Sequence, residues 1–142
     1  MNTMKIDSVE SMQALLYTSP FTEFLGLKVD SLDLEAGRMV VSMPMKGALE
    51  RMADAGQFHG GPIASLIDTA GACLISGMIE NGSPTINFRV DYIRPAGGSG
   101  LKATVVARRV GRSMAICDVD VVDDQDRLVA VGRGAFGATR AQ

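Results

Sequence analysis

Apolar residues recur with a helical period in two stretches of the chain and by alternation in six others, and these patterns set the expected elements. In the first stretch Val9, Met12, Leu15 and Leu16 fall on one side of a helical wheel behind Ser8. A serine there accepts a bond from an otherwise unpaired backbone N–H, so the pattern predicts a short helix over 8–17 with Ser8 as its cap. Pro20 ends that helix, and Phe21 to Leu25 leaves room for one further turn. Residues 27–34 and 38–45 then alternate as a strand pair, with Glu35-Ala36-Gly37 as the tight turn between them. Met39, Val41, Met43 and Met45 share one face of the second strand, and Pro44 puts it at an edge or near its end.

Residues 46–58 show neither period and read as a long loop. Beyond them His59-Gly60-Gly61-Pro62 leads into 63–79, where Ile63, Ile67, Ala70 and Leu74 form one stripe and Ala64, Gly71, Cys73 and Ile75 lie elsewhere. A helix apolar on almost every side is a buried one, and Pro62 fits its first turn, where a missing N–H does no harm. Gly71 and Gly77 lower its intrinsic propensity, so packing must hold it. Four alternating segments follow at 85–94, 100–108, 113–122 and 128–136, separated by turns at 95–98, 110–111 and 123–126. In the first of these Ile86, Phe88, Val90 and Tyr92 share a face, and Thr85, Asn87, Arg89 and Asp91 take the other. Helix, two strands, long helix and four strands argue for one antiparallel α+β domain over 1–142, with the short helical segment at its start. A curled sheet of about six strands would wrap a helix roughly 27 Å long. The tail beyond Phe136 is small and polar and is expected to fray.

Composition narrows the class. Apolar residues make up 46% of the chain but aromatic residues only 5%, so Ile, Leu, Val, Met and Ala must fill the core. A net charge of -2 without a basic tract argues against nucleic acid as the main partner and leaves room for a small local patch at most. Cys73 and Cys117 sit inside apolar runs and read as buried thiols. One histidine and no Cys-x-x-Cys leave no recognisable zinc site. Residues 60–79 approach the length of a membrane span, but Asp68 in the middle is costly in a bilayer, so no membrane insertion is expected. Asp7 and Glu10 interrupt the first segment and no long apolar region follows it, which reads as a cytoplasmic protein.

Asp68 is the residue that needs a reason. A carboxylate in the most apolar helix should be paired, hydrogen-bonded, protonated or functional, and the sequence leaves these open. His59-Gly60-Gly61 precedes the same helix, whose first N–H groups lack intrahelical partners and can point at developing negative charge. The alternative is a plain turn with a loop histidine bonded to backbone. Asp68 lies almost two turns from the helix start, roughly 10–12 Å, too far for it and Gly60 of one chain to hold one carbonyl easily. A site formed across a dimer interface would resolve this. There is no Gly-x-Ser-x-Gly, no phosphate loop and no dinucleotide fingerprint. A carboxylate with backbone donors remains, which suits attack on an activated carbonyl such as a thioester.

Phe58-His59-Gly60-Gly61-Pro62-Ile63-Ala64-Ser65-Leu66-Ile67-Asp68-Thr69-Ala70 resembles the signature of hotdog-fold acyl-CoA thioesterases of the phenylacetate-pathway type. Val90-Asp91-Tyr92-Ile93-Arg94-Pro95-Ala96, Gly111-Arg112-Ser113 and Val129-Ala130-Val131-Gly132-Arg133-Gly134 resemble the same family. The resemblance implies a hotdog fold, dimers that often pair into tetramers, and acyl-CoA hydrolysis at sites shared between subunits, with no cofactor beyond the coenzyme A of the substrate. It implies that Asp68 is the catalytic nucleophile or general base, that the Gly60 N–H polarises the thioester carbonyl, that His59 is the motif histidine, and that Thr85 helps place the attacking water. Gly61, Gln57, Arg94 and Arg112 are candidate substrate contacts, the two arginines for coenzyme A phosphates. One position departs from the pattern: Ala53 stands where many members carry Asn or Gln, with Gln57 nearby as a substitute. That departure keeps open a non-catalytic acyl-CoA or lipid-binding protein on the same fold. A hotdog dehydratase matches the motif register less well.

Overall fold

The computed structural model describes residues 5–142. Its first helix, α1 (Val9–Leu16), starts at Ser8, whose hydroxyl accepts from the Ser11 N–H while the Ser11 hydroxyl accepts from the Ser8 N–H. Pro20 does more than end α1. It is the first residue of a second helix, α2 (Pro20–Leu25), capped by Ser19 and closed by Gly26 at φ 71°. The fixed φ that keeps proline out of a helix interior suits it to a first helical position, and only a residue tolerant of positive φ closes the helix this tightly.

Six strands follow the expected order: β1 (Lys28–Asp33), β2 (Arg38–Pro44), then, after the long helix α3 (Gly60–Ile79), β3 (Thr85–Tyr92), β4 (Gly100–Val110), β5 (Met114–Val122) and β6 (Leu128–Gly137). Every ladder is antiparallel, and the sheet order is β1-β2-β4-β5-β6-β3. Five of the strands touch α3 closely, β4 most of all, so the sheet curls around the helix. This is the α+β hotdog fold. Met39, Val41, Met43, Leu101, Ala103, Val105, Ala115, Cys117, Val119 and Val121 line its inner face, all buried. Alternation at period two put them there.

The helix is less enclosed than its composition suggests. Ile63, Leu66, Ile67, Ala70, Leu74, Ile75 and Ile79 are buried on the sheet. Each leucine and isoleucine among them contributes about 1.5–3 kcal/mol by leaving water. Ala64, Ser65, Asp68, Thr69, Ala72, Cys73 and Ser76 are only half-buried. In length and composition α3 could cross a membrane, yet half of it is packed inside the domain. Contact with β6 is close enough to need glycine on both sides. A Cβ on Gly71 would lie 2.6 Å from Phe136 Cε2, and one on Gly132 would lie 2.6 Å from Ile67 Cγ2.

Three further expectations change. The 46–58 loop carries a 3-10 turn, Gly47–Leu49, and is tied down by bridges between Glu50 and Phe58 and between Gln57 and Gly97. The tail is anchored: β6 runs to Gly137, the buried Ala138 donates to the Ser113 carbonyl at 3.0 Å, and Asn81 Nδ2 donates to the Thr139 carbonyl at 2.9 Å. In β3, simple alternation fails at its first residue. Thr85 pairs with Phe136 and Asn87 with Ala135, so two steps on β3 match one on β6. This bulge turns Thr85 onto the helix side of the sheet, with Phe88, Val90 and Tyr92, instead of outward with Asn87.

Two predictions follow from this packing. Gly71→Ala should gain helix propensity, but its methyl meets a ring locked in the core, and the clash is the larger effect. A loss of about 1–3 kcal/mol is expected in urea denaturation. Phe136→Leu in the same chain should recover part of that loss, whereas strict additivity would mean the two sites share no space. At the β5–β6 turn, the buried Asp123 carboxylate accepts from the Gln125 N–H at 2.9 Å, the Arg127 N–H at 3.0 Å and Arg127 Nε at 2.8 Å. Burial pushes its pKa up, but these bonds and the guanidinium outweigh burial and hold it below the usual range. The stability it contributes is therefore present above the unfolded carboxylate pKa, about 3.9, and is lost as pH falls through the folded value. The stability gap between the wild type and Asp123→Asn should be widest near neutral pH and close below about pH 4, as read by urea denaturation at both.

Candidate active site

The start of α3 disposes of its unpaired N–H groups one at a time. Pro62 has none. The Gly61 N–H is taken by His59 Nδ1 at 2.9 Å. His59 is therefore the N-cap of α3, through Nδ1 of its ring. Ile63 is the first residue whose N–H reaches a carbonyl one turn back. The Gly60 N–H is left over, with no acceptor among the described residues. It sits at the positive end of the helix dipole.

The surrounding turn is fixed by backbone bonds. The His59 N–H donates to the Leu49 carbonyl at 2.8 Å and the Phe58 N–H to the Ala96 carbonyl at 2.7 Å. The Tyr92 hydroxyl donates to the Gly60 carbonyl at 2.7 Å. Beside this turn opens a cleft of about 660 Å³ lined by His59, Gly60, Gly61, Tyr92, Arg94 and Pro95, among others. It contains a donor for negative charge and an arginine, but no carboxylate.

The carboxylate lies elsewhere. Asp68 is on the half-buried face of α3, and Thr85 Oγ1 donates to its Oδ1 at 2.5 Å. The β3 bulge is what brings Thr85 to it. Oδ1 is thereby held and Oδ2 has no donor among the described residues. Asp68 is thus hydrogen-bonded and partly exposed, not sealed in the core as the helix composition suggests. Eight residues of helix, about 12 Å, separate it from Gly60.

The other candidates divide between the two ends of β3. Arg94 lines the cleft beyond Tyr92. Arg112 is exposed in the β4–β5 turn, at the end where β5 and β6 pair Met114 with Gly137 and Thr85 sits opposite Phe136. Gly61 lines the cleft but its N–H is already used by His59. Gln57 is not brought to the cleft: its Oε1 accepts from Arg51 Nε at 2.6 Å, and its main chain bridges to Gly97. Ala53 is exposed in the loop. Sequence reasoning missed Tyr92, which alternation placed with Ile86, Phe88 and Val90 on an apolar strand face. The available signal was a hydroxyl in line with the apolar Ile86, Phe88 and Val90. Among the described residues no group of three or more His, Cys, Asp and Glu side chains is placed to hold a metal ion.

A six-stranded antiparallel sheet wrapped around a long helix defines a hotdog-fold domain, here with a free amide at the helix start and a carboxylate two turns on. Residues 55–130, more than half of the chain, match the model of the thioesterase superfamily. The chain belongs to that superfamily. It is 32% identical over 145 residues to a protein of Halobacterium salinarum, covering 94% of each. It is 32% identical over 112 residues to the acyl-coenzyme A thioesterase PaaI of Escherichia coli, 76% of each chain. The solved structure of that PaaI protein superposes with a TM-score of 0.78 at 26% identity, over 92% of this chain and 90% of that one. A further solved member of the thioesterase superfamily gives a TM-score of 0.84 at 29% identity, over 91% and 96%.

Neither cysteine is prepared for chemistry. Burial pushes the Cys73 thiol up to about 12, and the nearby Asp68 charge adds to it. Burial does the same to Cys117, again to about 12, with Asp118 adding. At pH 8 both should alkylate with iodoacetamide far more slowly than an unperturbed thiol, and Cys73→Ser should keep turnover within a few fold. Fast labelling of Cys73 in the folded protein would contradict this.

Proposed function

We propose that the protein hydrolyses an acyl-CoA thioester at two equivalent sites of a homodimer, each built from both chains. The observation that carries this reading is the division of one site along β3: Thr85 with Asp68 at its start, Tyr92 with Gly60 at its end. Among the described residues the outer edge of β3 pairs with no other strand, and it presents Ile86, Tyr92 and Ile93, each at least half exposed, and Phe88 at 37%. Such an edge pairs readily with another strand. Antiparallel pairing of β3 with itself across a two-fold axis sets the start of one strand beside the end of the other. The Asp68–Thr85 half of one chain then meets the Gly60 half of its partner, twice. Further pairing of such dimers into tetramers belongs to the same reading.

In the reaction, the thioester carbonyl oxygen lies against the Gly60 N–H. Asp68 of the facing chain attacks the carbonyl carbon, or takes a proton from a water that does so. Negative charge builds on the oxygen and the Gly60 N–H stabilises it. As the tetrahedral species collapses, the carbon–sulfur bond breaks and coenzyme A leaves as thiolate. After attack by Asp68 itself, water then cleaves the acyl anhydride. Thr85 holds Oδ1, so that Oδ2 is the reactive atom. His59 shapes the turn as its cap, and Arg94 and Arg112 are the candidate partners for coenzyme A phosphates. Ala53, with Gln57 engaged by Arg51, favours a second reading: a protein of the same fold that binds acyl-CoA without turning it over.

A thiol-release assay over short, medium, long and aromatic acyl-CoAs separates the two readings. Turnover of at least one is expected; binding without turnover supports the second. Asp68→Asn should cut the rate by roughly 10²-fold or more while the melting temperature holds or rises. Gly60→Pro deletes the free N–H at a backbone that accepts proline, since proline suits a first helical position and His59 lies at φ −62° and ψ 148°; its ring also presses on Tyr92, 3.2 Å from a Cβ there, so Gly60→Ala, which keeps the N–H and adds the same crowding, is the control. Gly60→Pro should lose roughly 10²–10³-fold. Refolding Asp68→Asn and Gly60→Pro together should restore activity, since a mixed dimer contains one intact site. Two inactive proteins that stay inactive when mixed would place both groups in one chain's site and end the shared-site reading.

A further inference from the structure

Tyr92 is 53% exposed and is the last residue of β3, yet its side chain is held in one place. Its hydroxyl donates to the Gly60 carbonyl at 2.7 Å. Its ring rests on bare backbone: a Cβ on Gly60 would lie 3.2 Å from Tyr92 Oη and 3.3 Å from Cζ. Gly60 itself has the widest conformational freedom of any residue type, and it carries the one free N–H of the α3 start. The peptide that follows it is clamped at both ends, its carbonyl by Tyr92 and its N–H by His59 Nδ1. As the first residue of α3, Gly60 also offers that carbonyl to the Ala64 N–H of the first helical turn, and the Tyr92 hydroxyl is the bond that ties this peptide to β3.

We propose that Tyr92 is a positioning residue for thioester hydrolysis. It fixes the backbone of Gly60 so that the free N–H is aimed before substrate arrives, and it ties the start of α3 to the strand along which the chains meet. This rests on the thioesterase reading above. An oxyanion donor acts through preorganisation, so freedom at Gly60 lowers the rate of the chemical step more than it weakens binding. In the antiparallel pairing of β3, Tyr92 also comes beside the partner's Thr85.

Tyr92→Phe keeps the ring and removes only the oxygen. In the acyl-CoA thiol-release assay it should lower kcat by about 10-fold or more, with KM within about twofold and the melting temperature and dimer mass unchanged. The double variant Gly60→Ala with Tyr92→Phe supplies the second measurement. Alanine restricts the freed backbone; the missing oxygen removes the nearest contact, at 3.2 Å, and the ring, still 3.3 Å away at Cζ but no longer bonded to the Gly60 carbonyl, can give the few tenths of an ångström the methyl needs, so part of the lost kcat should return. A Tyr92→Phe protein with unchanged kcat overturns the proposal while leaving the thioesterase reading intact. So does a loss of kcat that follows a loss of dimer mass or melting temperature, or one that Gly60→Ala does not relieve. A wild-type protein that turns over no acyl-CoA overturns both.

Discussion

The close approach of α3 to the sheet fixes everything else in this domain. The helix lies near enough to β6 that side chains cannot be accommodated at Gly71 or Gly132, where Phe136 and Ile67 take the space. A gap of even half an ångström there would forfeit much of the dispersion contact that offsets the weak helix propensity of the segment. With its axis set this way, α3 has one permitted rotation. Ile63, Leu66, Ile67, Ala70, Leu74 and Ile75 must face the strands. The residues left on the other side are small or polar, and Asp68 is among them.

That rotation settles what a carboxylate is doing in an apolar helix. Asp68 is not stranded in the core, where it would require strong compensation. It stands at the rim of the wrapped helix, half-buried, with one oxygen satisfied by Thr85. The strand supplying that hydroxyl is the exposed edge of the sheet, and the bulge at its first residues is what brings the hydroxyl round. The opposite end of the same strand carries Tyr92 to the start of α3. One edge strand thus holds both halves of the candidate site, about 23 Å of extended backbone apart, and exposes the apolar surface that would bring a second copy alongside.

The His59-Gly60-Gly61-Pro62 run works by elimination. Helix starts normally leave several N–H groups seeking partners. Here proline removes one, the histidine ring satisfies another, and the helix itself begins with the fourth. The Gly60 amide remains without an acceptor among the described residues, on a residue that lines the cleft. The glycine bearing it allows the Tyr92 ring to lie flat against the backbone, where a side chain would push it away.

Much of this was legible in the sequence. The alternating and helical periods gave the number, order and approximate bounds of the strands and the identity of the long helix, because burial against one face imposes those periods on any chain. Local capping chemistry at Ser8 and Pro62 was legible for the same reason: it depends on residues a few positions apart. Gly60 and Asp68 were singled out by their motif, and their separation along the helix follows from its rise per residue. Tertiary structure alone decided which face of α3 meets the sheet, since an all-round apolar composition leaves the rotation open. It also placed the bulge that turns Thr85 toward Asp68, because a ladder's register belongs to two strands and not to one. The bonds of Gln57 to Arg51 and of Tyr92 to Gly60 lay outside sequence reasoning too, the latter spanning 32 residues. Alternation reports which side of a strand is apolar, but only the folded chain shows which backbone atom a hydroxyl on that side can reach.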